Sequence, residues 1–248
     1  MSTDMSAKYQ HLDVESSDNV FIVTMRNGED NRLNFAICRE LMHVLGAIRE
    51  TLGPANDGAL IVRGPNNKFF TNGIDLEESA KYPEVTADTF YPLLHAILDF
   101  PYPTIAIVTG HTFGGGCPFS LAFDYRIMNS ERGFWSMVAV DFGLYFPGIG
   151  SLIKSKLTPQ VARKVLGEGH RFTGKEAFAA GIVDQIASPD RLLPSAVELA
   201  SKLKGKARGN VYGLLRGELN LEPLRRLRDI SYVHNPRRSP LSKVPGRL

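Results

Sequence analysis

Up to about residue 190 this chain alternates two kinds of apolar pattern, and that alternation limits the folds open to it more than any other feature. Asn19–Met25 (NVFIVTM), Ala59–Arg63 and Thr104–Thr109 are strand-length runs rich in β-branched residues, and Tyr125–Met128 is a fourth. Between them the spacing turns helical. Asn34 predicts an N-cap for a helix from about Phe35; Ile37, Leu41, Val44, Leu45, Ile48 and Leu52 fall on one face, and Gly53-Pro54 stops it. Thr86–Asp99 predicts a second helix, with Phe90, Leu93, Leu94, Ile97 and Leu98 as its stripe. Strands separated by helices in this way predict an α/β fold with buried parallel pairing. After Ser188-Pro189 the strand signal ends, and Leu192–Leu203 and Val211–Leu227 read as helices. The chain is therefore expected to divide into a flexible N-terminus (1–17), an α/β core (18–190) and a helical C-terminal segment (191–248).

Composition narrows the functional classes. The 248 residues suffice for one large domain, and no apolar run approaches the ~20 residues that a membrane span needs. Met1–Ser17 is polar, acidic and poor in Arg, so it does not read as a secretory or mitochondrial signal. Two cysteines without framework spacing, Cys38 and Cys117, fit a reducing, intracellular compartment. Charge is uneven: residues 201–248 hold twelve basic side chains against Glu218, Glu222 and Asp229. No aromatic interleaving or nucleic-acid motif accompanies them, so a solvated, subunit-contacting helical face is expected rather than a nucleic-acid site. No His/Cys/Asp cluster has metal-ligand spacing, and no Ser-His-Asp or Cys-His set is visible.

Two loops carry the chemistry. Phe69-Phe70-Thr71-Asn72-Gly73-Ile74-Asp75-Leu76 is the first; Gly110-His111-Thr112-Phe113-Gly114-Gly115-Gly116-Cys117-Pro118, running into Phe119–Phe123, is the second. Glycines let a ligand approach main-chain N–H groups with no Cβ in the way. A tight strand–helix turn would use the same residues, and neither the P-loop nor the dinucleotide-binding glycine pattern is present.

The pair Phe-x-x-Gly-x-Asp-Leu and Gly-His-x-x-Gly-Gly-Gly, about 35 residues apart, resembles the signature segments of the crotonase (enoyl-CoA hydratase/isomerase) superfamily. Phe172–Ala177 and Ala180–Asp184 are similar to its next landmarks. Asp124–Met128, Arg132–Phe134 and Asn210–Arg216 resemble the peroxisomal Δ3,Δ2-enoyl-CoA isomerases of plants and fungi. The likeness spans roughly residues 18–220. It implies an α/β crotonase (ClpP-like) spiral of ββα units with a C-terminal helical trimerisation segment, assembled as a homotrimer or dimer of trimers. It also implies an acyl-CoA or enoyl-CoA substrate, with no cofactor beyond the CoA moiety. Position by position it places oxyanion-hole N–H groups on Ile74 and Gly115, and CoA contacts near Arg32, Leu33, Lys68, Phe69, Asn72 and Asp75. Relatives often end in a Ser-Lys-Leu-type peroxisomal address; Gly246-Arg247-Leu248 is a weakened form, leaving peroxisome or cytoplasm.

The pattern also breaks. The hydratase glutamate corresponds to Pro118 and the isomerase glutamate to Ala139, so the usual bases are missing. Substitutes are Asp141, on Ala139's face if a strand persists there, Tyr91 and His95, four apart on one helical face, and Tyr145. Asp75 reads as a loop-fixing carboxylate, His111 as structural and Cys117 as a buried small residue. Three functions remain open: an enoyl-CoA isomerase-like enzyme with a relocated base, a decarboxylase needing only the enolate site, and a non-catalytic acyl-CoA-binding protein.

Overall fold

The structure, a computed structural model, describes residues 3–4 and 8–239; Gly246-Arg247-Leu248 lie outside the described residues. Asp18 and Asn19 both have positive φ, 51° and 60°, as a two-residue type I′ hairpin turn requires. They join Leu12–Ser17 to Val20–Met25, paired antiparallel from Ser17 opposite Val20 to Leu12 opposite Met25. With Thr3–Asp4 pairing outside them, these are β1, β2 and β3 in chain order. The expectation of a flexible N-terminus over 1–17 is thereby corrected for Leu12–Ser17, where Leu12 and Val14 are fully buried. The alternation Leu12-Asp13-Val14-Glu15 was the signal, but a charged residue at every second position makes a half-buried strand look like a solvated tail.

Helix α1 (Phe35–Leu52) is capped by the Asn34 side chain, which accepts from the Ile37 N–H, and its apolar face is buried as expected. The chain then repeats a strand–strand–helix unit: β4 (Ala59–Arg63), β5 (Phe69–Thr71) and α2 (Leu76–Lys81). After α3 (Tyr91–Leu98) come β6 (Thr104–Val108), β7 (His111–Phe113) and α4 (Gly116–Leu121), then β8 (Tyr125–Asn129), β9 (Phe134–Ser136) and α5 (Ile149–Lys156). Helix α6 (Pro159–Glu168), β10 (Phe172–Thr173), α7 (Gly174–Ala179) and β11 (Gln185–Ala187) close the core, and α8 (Leu192–Leu203), α9 (Val211–Leu219) and α10 (Leu221–Ile230) follow.

The first strand of each unit enters a seven-stranded sheet, β1-β2-β3-β4-β6-β8-β11, parallel from β3 onward. The second strand enters a four-stranded sheet, β10-β9-β7-β5, parallel across β9, β7 and β5. This is the spiral of ββα units. Helix α8 covers one face of the large sheet through Leu192, Ala196 and Ala200 against Ile61, Ile105, Ile107 and Ile127. The other face joins α1 and α3 in the main core. Buried on both faces, β6 reads as a continuous apolar run rather than an alternating one.

Two predicted helices are interrupted, each by proline. Thr86–Asp99 opens as a wider π-turn, Thr86–Phe90, before α3 begins. Pro92 has no N–H to give Asp88, and its ring crowds that carbonyl, so the Tyr91 N–H bonds back to Thr86 instead. Likewise Val211–Leu227 is not one helix but α9 and α10, broken at Asn220 because Pro223 cannot bond the Leu219 carbonyl.

Candidate active site

Parallel strands β5, β7 and β9 lie side by side and end together, at Thr71, Phe113 and Ser136. Ile74, Gly115 and Ala139 follow those three ends, so one edge of the small sheet gathers segments 65 residues apart in the chain.

The first two loops are wedged together. Gly73, at φ +82°, could not carry a side chain, because a Cβ there would sit 2.5 Å from the Phe113 carbonyl oxygen. A Cβ on Gly115 would lie 2.7 Å from Ile74 Cγ1 and 3.3 Å from the Ile74 nitrogen. Among the described residues neither the Ile74 N–H nor the Gly115 N–H has a hydrogen-bond acceptor. Their neighbours are fixed: the Leu33 N–H donates to the Gly73 carbonyl (2.8 Å), Asp75 N–H to Leu33 (3.1 Å) and Gly114 N–H to Ser136 (3.0 Å). Two free backbone donors on adjoining rigid loops are an arrangement able to hold one oxyanion.

Ala139, 7% exposed, borders a cavity of about 910 Å³ with Met137, Leu144, Tyr145 and Ile149. Its far wall is α10, which lies across α3 and α5 and contributes Glu222, Arg225, Arg226 and Asp229. The sequence offered no local signal for these four, about 80 residues beyond Ala139; they read there only as a charged helical face.

The substitute bases fare differently. Asp141 does not share a face with Ala139: β9 ends at Ser136, Val138–Phe142 is a 3₁₀ turn, and the exposed Asp141 carboxylate lies beside Gly169. Tyr91 and His95 do share a face, both buried. Burial, with Tyr145 adding to it, pushes the Tyr91 phenol well above its usual range, so it stays protonated at neutral pH. His95 has its ring 4.3 Å from that of His234, and its Nε2 has no partner. Burial, helped by His234, holds its pKa down to about 4. The residues lining the Ala139 cavity do not include His95, nor Ile74 and Gly115, which adjoin it only through the neighbouring strand ends of the small sheet. Tyr145, 81% exposed, borders that cavity and a neighbouring groove with Tyr91.

Of the residues expected near CoA, Arg32 pairs with Asp30 at 3.1 Å, Lys68 with Glu29, and Asn72 Nδ2 donates to Asp30 at 3.2 Å. Phe69 lies under Lys68, whose Nζ is 5.6 Å from its ring centroid. Leu33 is buried and bridges to Ile74. Asp75 fixes its loop, accepting from the Glu77 and Glu78 N–H groups as the N-cap of α2. His111 is structural, its Nδ1 accepting from the Phe134 N–H, and Cys117 is fully buried.

The Asp124–Arg126 and Asn210–Arg216 segments turn out to be architectural. Arg216 Nη1 donates to the Ile97, Leu98 and Phe100 carbonyls at 2.6, 3.0 and 2.7 Å, and Nε to Asp124. The Leu98 and Phe100 carbonyls lie at and just past the end of α3, where helical donors run out, and the Ile97 carbonyl also accepts from the Phe100 N–H (3.3 Å), so one guanidinium ties α9 to the core. Arg126, equally buried, donates to Ile182 (2.7 Å) and Asp184 (3.1 Å).

The model of the enoyl-CoA hydratase/isomerase family matches residues 15–220. Enoyl-CoA delta isomerase 3 of Arabidopsis thaliana is 31% identical over 83% of this chain and 90% of its own. The peroxisomal enoyl-CoA delta isomerase 2 of the same plant is 30% identical over the same shares. Among solved structures, a probable enoyl-CoA hydratase of Mycobacterium tuberculosis superposes with a TM-score of 0.79 at 23% identity, covering 89% of this chain and 93% of that one. A family match over most of the length, on a shared fold, gives the conclusion plainly: the chain belongs to the enoyl-CoA hydratase/isomerase family.

Proposed function

We propose that the protein is an acyl-CoA thioester enzyme of the enoyl-CoA isomerase type, with the Ile74 and Gly115 N–H groups as its oxyanion hole. The observation that carries this reading is the pair of unpartnered backbone donors on abutting loops. As a proton leaves C2 or C4, negative charge moves onto the thioester oxygen, and fixed donors stabilise that charge without reorganising. Main-chain donors do not depend on side-chain identity, so Ile74 serves as a smaller residue would.

Proton transfer is relocated. The Ala139 cavity, read as the acyl site, includes two carboxylates from α10, Glu222 and Asp229, and these replace the missing glutamate as candidate bases. A positioned base is typically worth about 10²–10⁴-fold. Decarboxylation of a malonyl-type thioester is the second reading, favoured by Arg226 on the same cavity, since an enolate site alone could support it. Assembly through α9 completes the proposal: Leu214, Leu215 and Leu219 are all exposed, Leu219 at 80%, an apolar face suited to a homotrimer. The peroxisomal relative supports action in that compartment.

The test is proton exchange. Purified protein incubated in D₂O with 3-enoyl- and 2-enoyl-CoA is expected to place deuterium at C2 and C4, followed by NMR. Glu222→Gln and Asp229→Asn are expected to show which carboxylate moves the proton. Tight thioester binding without exchange overturns the isomerase reading, and CO₂ release from malonyl-CoA replaces it with the second.

A further inference from the structure

Beside the Ala139 cavity lies an open groove of about 690 Å³, and the two share Tyr145, Phe146 and Arg226. Arg237 and Arg238, in the 3₁₀ turn Pro236–Arg238 after α10, complete its basic side. Tyr91, Tyr145 and Tyr232 bring phenols to it, and among the described residues its lining contains no carboxylate. Among the described residues none of the three arginines has an ion-pair or side-chain hydrogen-bond partner. Elsewhere some arginines are ion-paired, as Arg32 with Asp30, Arg126 with Asp184 and Arg208 with Asp57, and others are not; what sets these three apart is that they share one groove.

Three guanidinium groups around one concavity make a positive field, and the carboxylates nearest Arg226, Glu222 and Asp229, line the adjoining cavity rather than this groove; Arg matches carboxylate or phosphate oxygens in a two-pronged fork. Opposing walls come from separate elements: Thr86 and Tyr91 from the segment entering α3, Tyr145 from the loop before α5, and the arginines from α10 and beyond. A ligand group entering from the Ala139 cavity would pass Tyr145 and Arg226 first.

We infer that this groove binds an anionic group at the far end of the acyl chain, so that the preferred substrates are thioesters of dicarboxylic acids rather than methyl-ended ones. The inference rests on the reading of the Ala139 cavity as the acyl site. A methyl-ended chain would leave the arginines as solvated as before and gain nothing from them. A terminal carboxylate would exchange water for charge-assisted hydrogen bonds, each worth about tenfold in affinity.

The experiment is calorimetry on the full chain with succinyl-, adipoyl- and suberoyl-CoA against butyryl-, hexanoyl- and octanoyl-CoA. One of the dicarboxylyl thioesters is expected to bind at least about tenfold more tightly than its methyl-ended counterpart. Arg226→Gln should bring that ratio toward one, and so should the exposed pair Arg237→Gln/Arg238→Gln, which lies outside the core and cannot act by unfolding it. Equal affinity for both series overturns the inference while leaving the acyl-CoA reading intact. Loss of affinity for both series alike, absent with the dephospho-CoA thioesters, instead gives the arginines to the CoA phosphate and also overturns it. Failure of every thioester to bind overturns the inference together with the function on which it rests.

Discussion

Gly115→Ala tests the proposed site through a single methyl group. Gly115 has φ −58°, a value any residue adopts, so the backbone is not strained and the effect is one of space. The added Cβ would lie 2.7 Å from Ile74 Cγ1, against an ordinary carbon–carbon contact of about 3.5–4.0 Å. The two loops must therefore part by roughly 1 Å, and such a displacement can cost about 10²-fold in rate. Losing one oxyanion donor outright costs about 10²–10³ in kcat. Either way the damage falls on kcat more than KM, because the charge these donors stabilise develops after the substrate binds. Crowding of this kind destabilises by about 1–3 kcal/mol, so the variant is expected to fold. The assay is the deuterium-exchange rate with saturating enoyl-CoA, alongside a thermal melt. Ile74→Ala leaves the backbone donor in place and is expected to keep most activity. Combined with Gly115→Ala it removes the Cγ1 contact and should recover about tenfold or more; only the milder 3.3 Å approach to the Ile74 nitrogen then remains. Wild-type exchange by folded Gly115→Ala would refute the assignment of these N–H groups.

Arg216→Leu removes the ion-pair partner of the nearly buried Asp124, leaving it the Thr104 and Tyr212 donors, and takes a donor from each of the Ile97, Leu98 and Phe100 carbonyls. Breaking such a pair costs about 3–5 kcal/mol, which lowers Tm by roughly 6–20 °C for a chain of this length; a denaturant melt showing less than about 1 kcal/mol would contradict the role given to this guanidinium. His95 makes stability pH-dependent. Its folded pKa, about 4, lies below the usual 6.5, so the unfolded chain binds the proton more readily. Stability is then complete above about pH 6.5 and falls as pH drops toward 4, by up to about 3 kcal/mol. His234, also held low, reinforces the slope, whereas Asp99 opposes it. His95→Leu should flatten the slope of ΔG against pH over that window, and an unchanged slope would show that other groups set it.

Local physics wrote much of this protein into its sequence. The Asn34 cap, the buried stripe of α1, the doubly buried β6 and the glycines at the loop junction each depend on neighbours within a few positions. The alternation of strand and helix was therefore legible, as was the presence of two glycine-containing loops after β5 and β7. What Ala139 removed was legible too, because an alanine carries no proton wherever it sits. Proline 92 and proline 223 were visible, but the helical stripes around them masked the breaks they cause. The hairpin at Asp18-Asn19 was missed because its turn needs positive φ from residues other than glycine.

Tertiary structure alone decided who faces Ala139. Glu222, Asp229 and Arg226 reach that cavity because α10 folds back over α3 and α5. Arg216 directs the chain there by satisfying carbonyls more than 110 residues earlier. The same packing buries His95 and places Tyr91 beside three unpaired arginines. A sequence records which side chains exist and what their neighbours favour. Which charges remain unpaired, and in front of which cavity, depends on chain segments that meet only when the core closes.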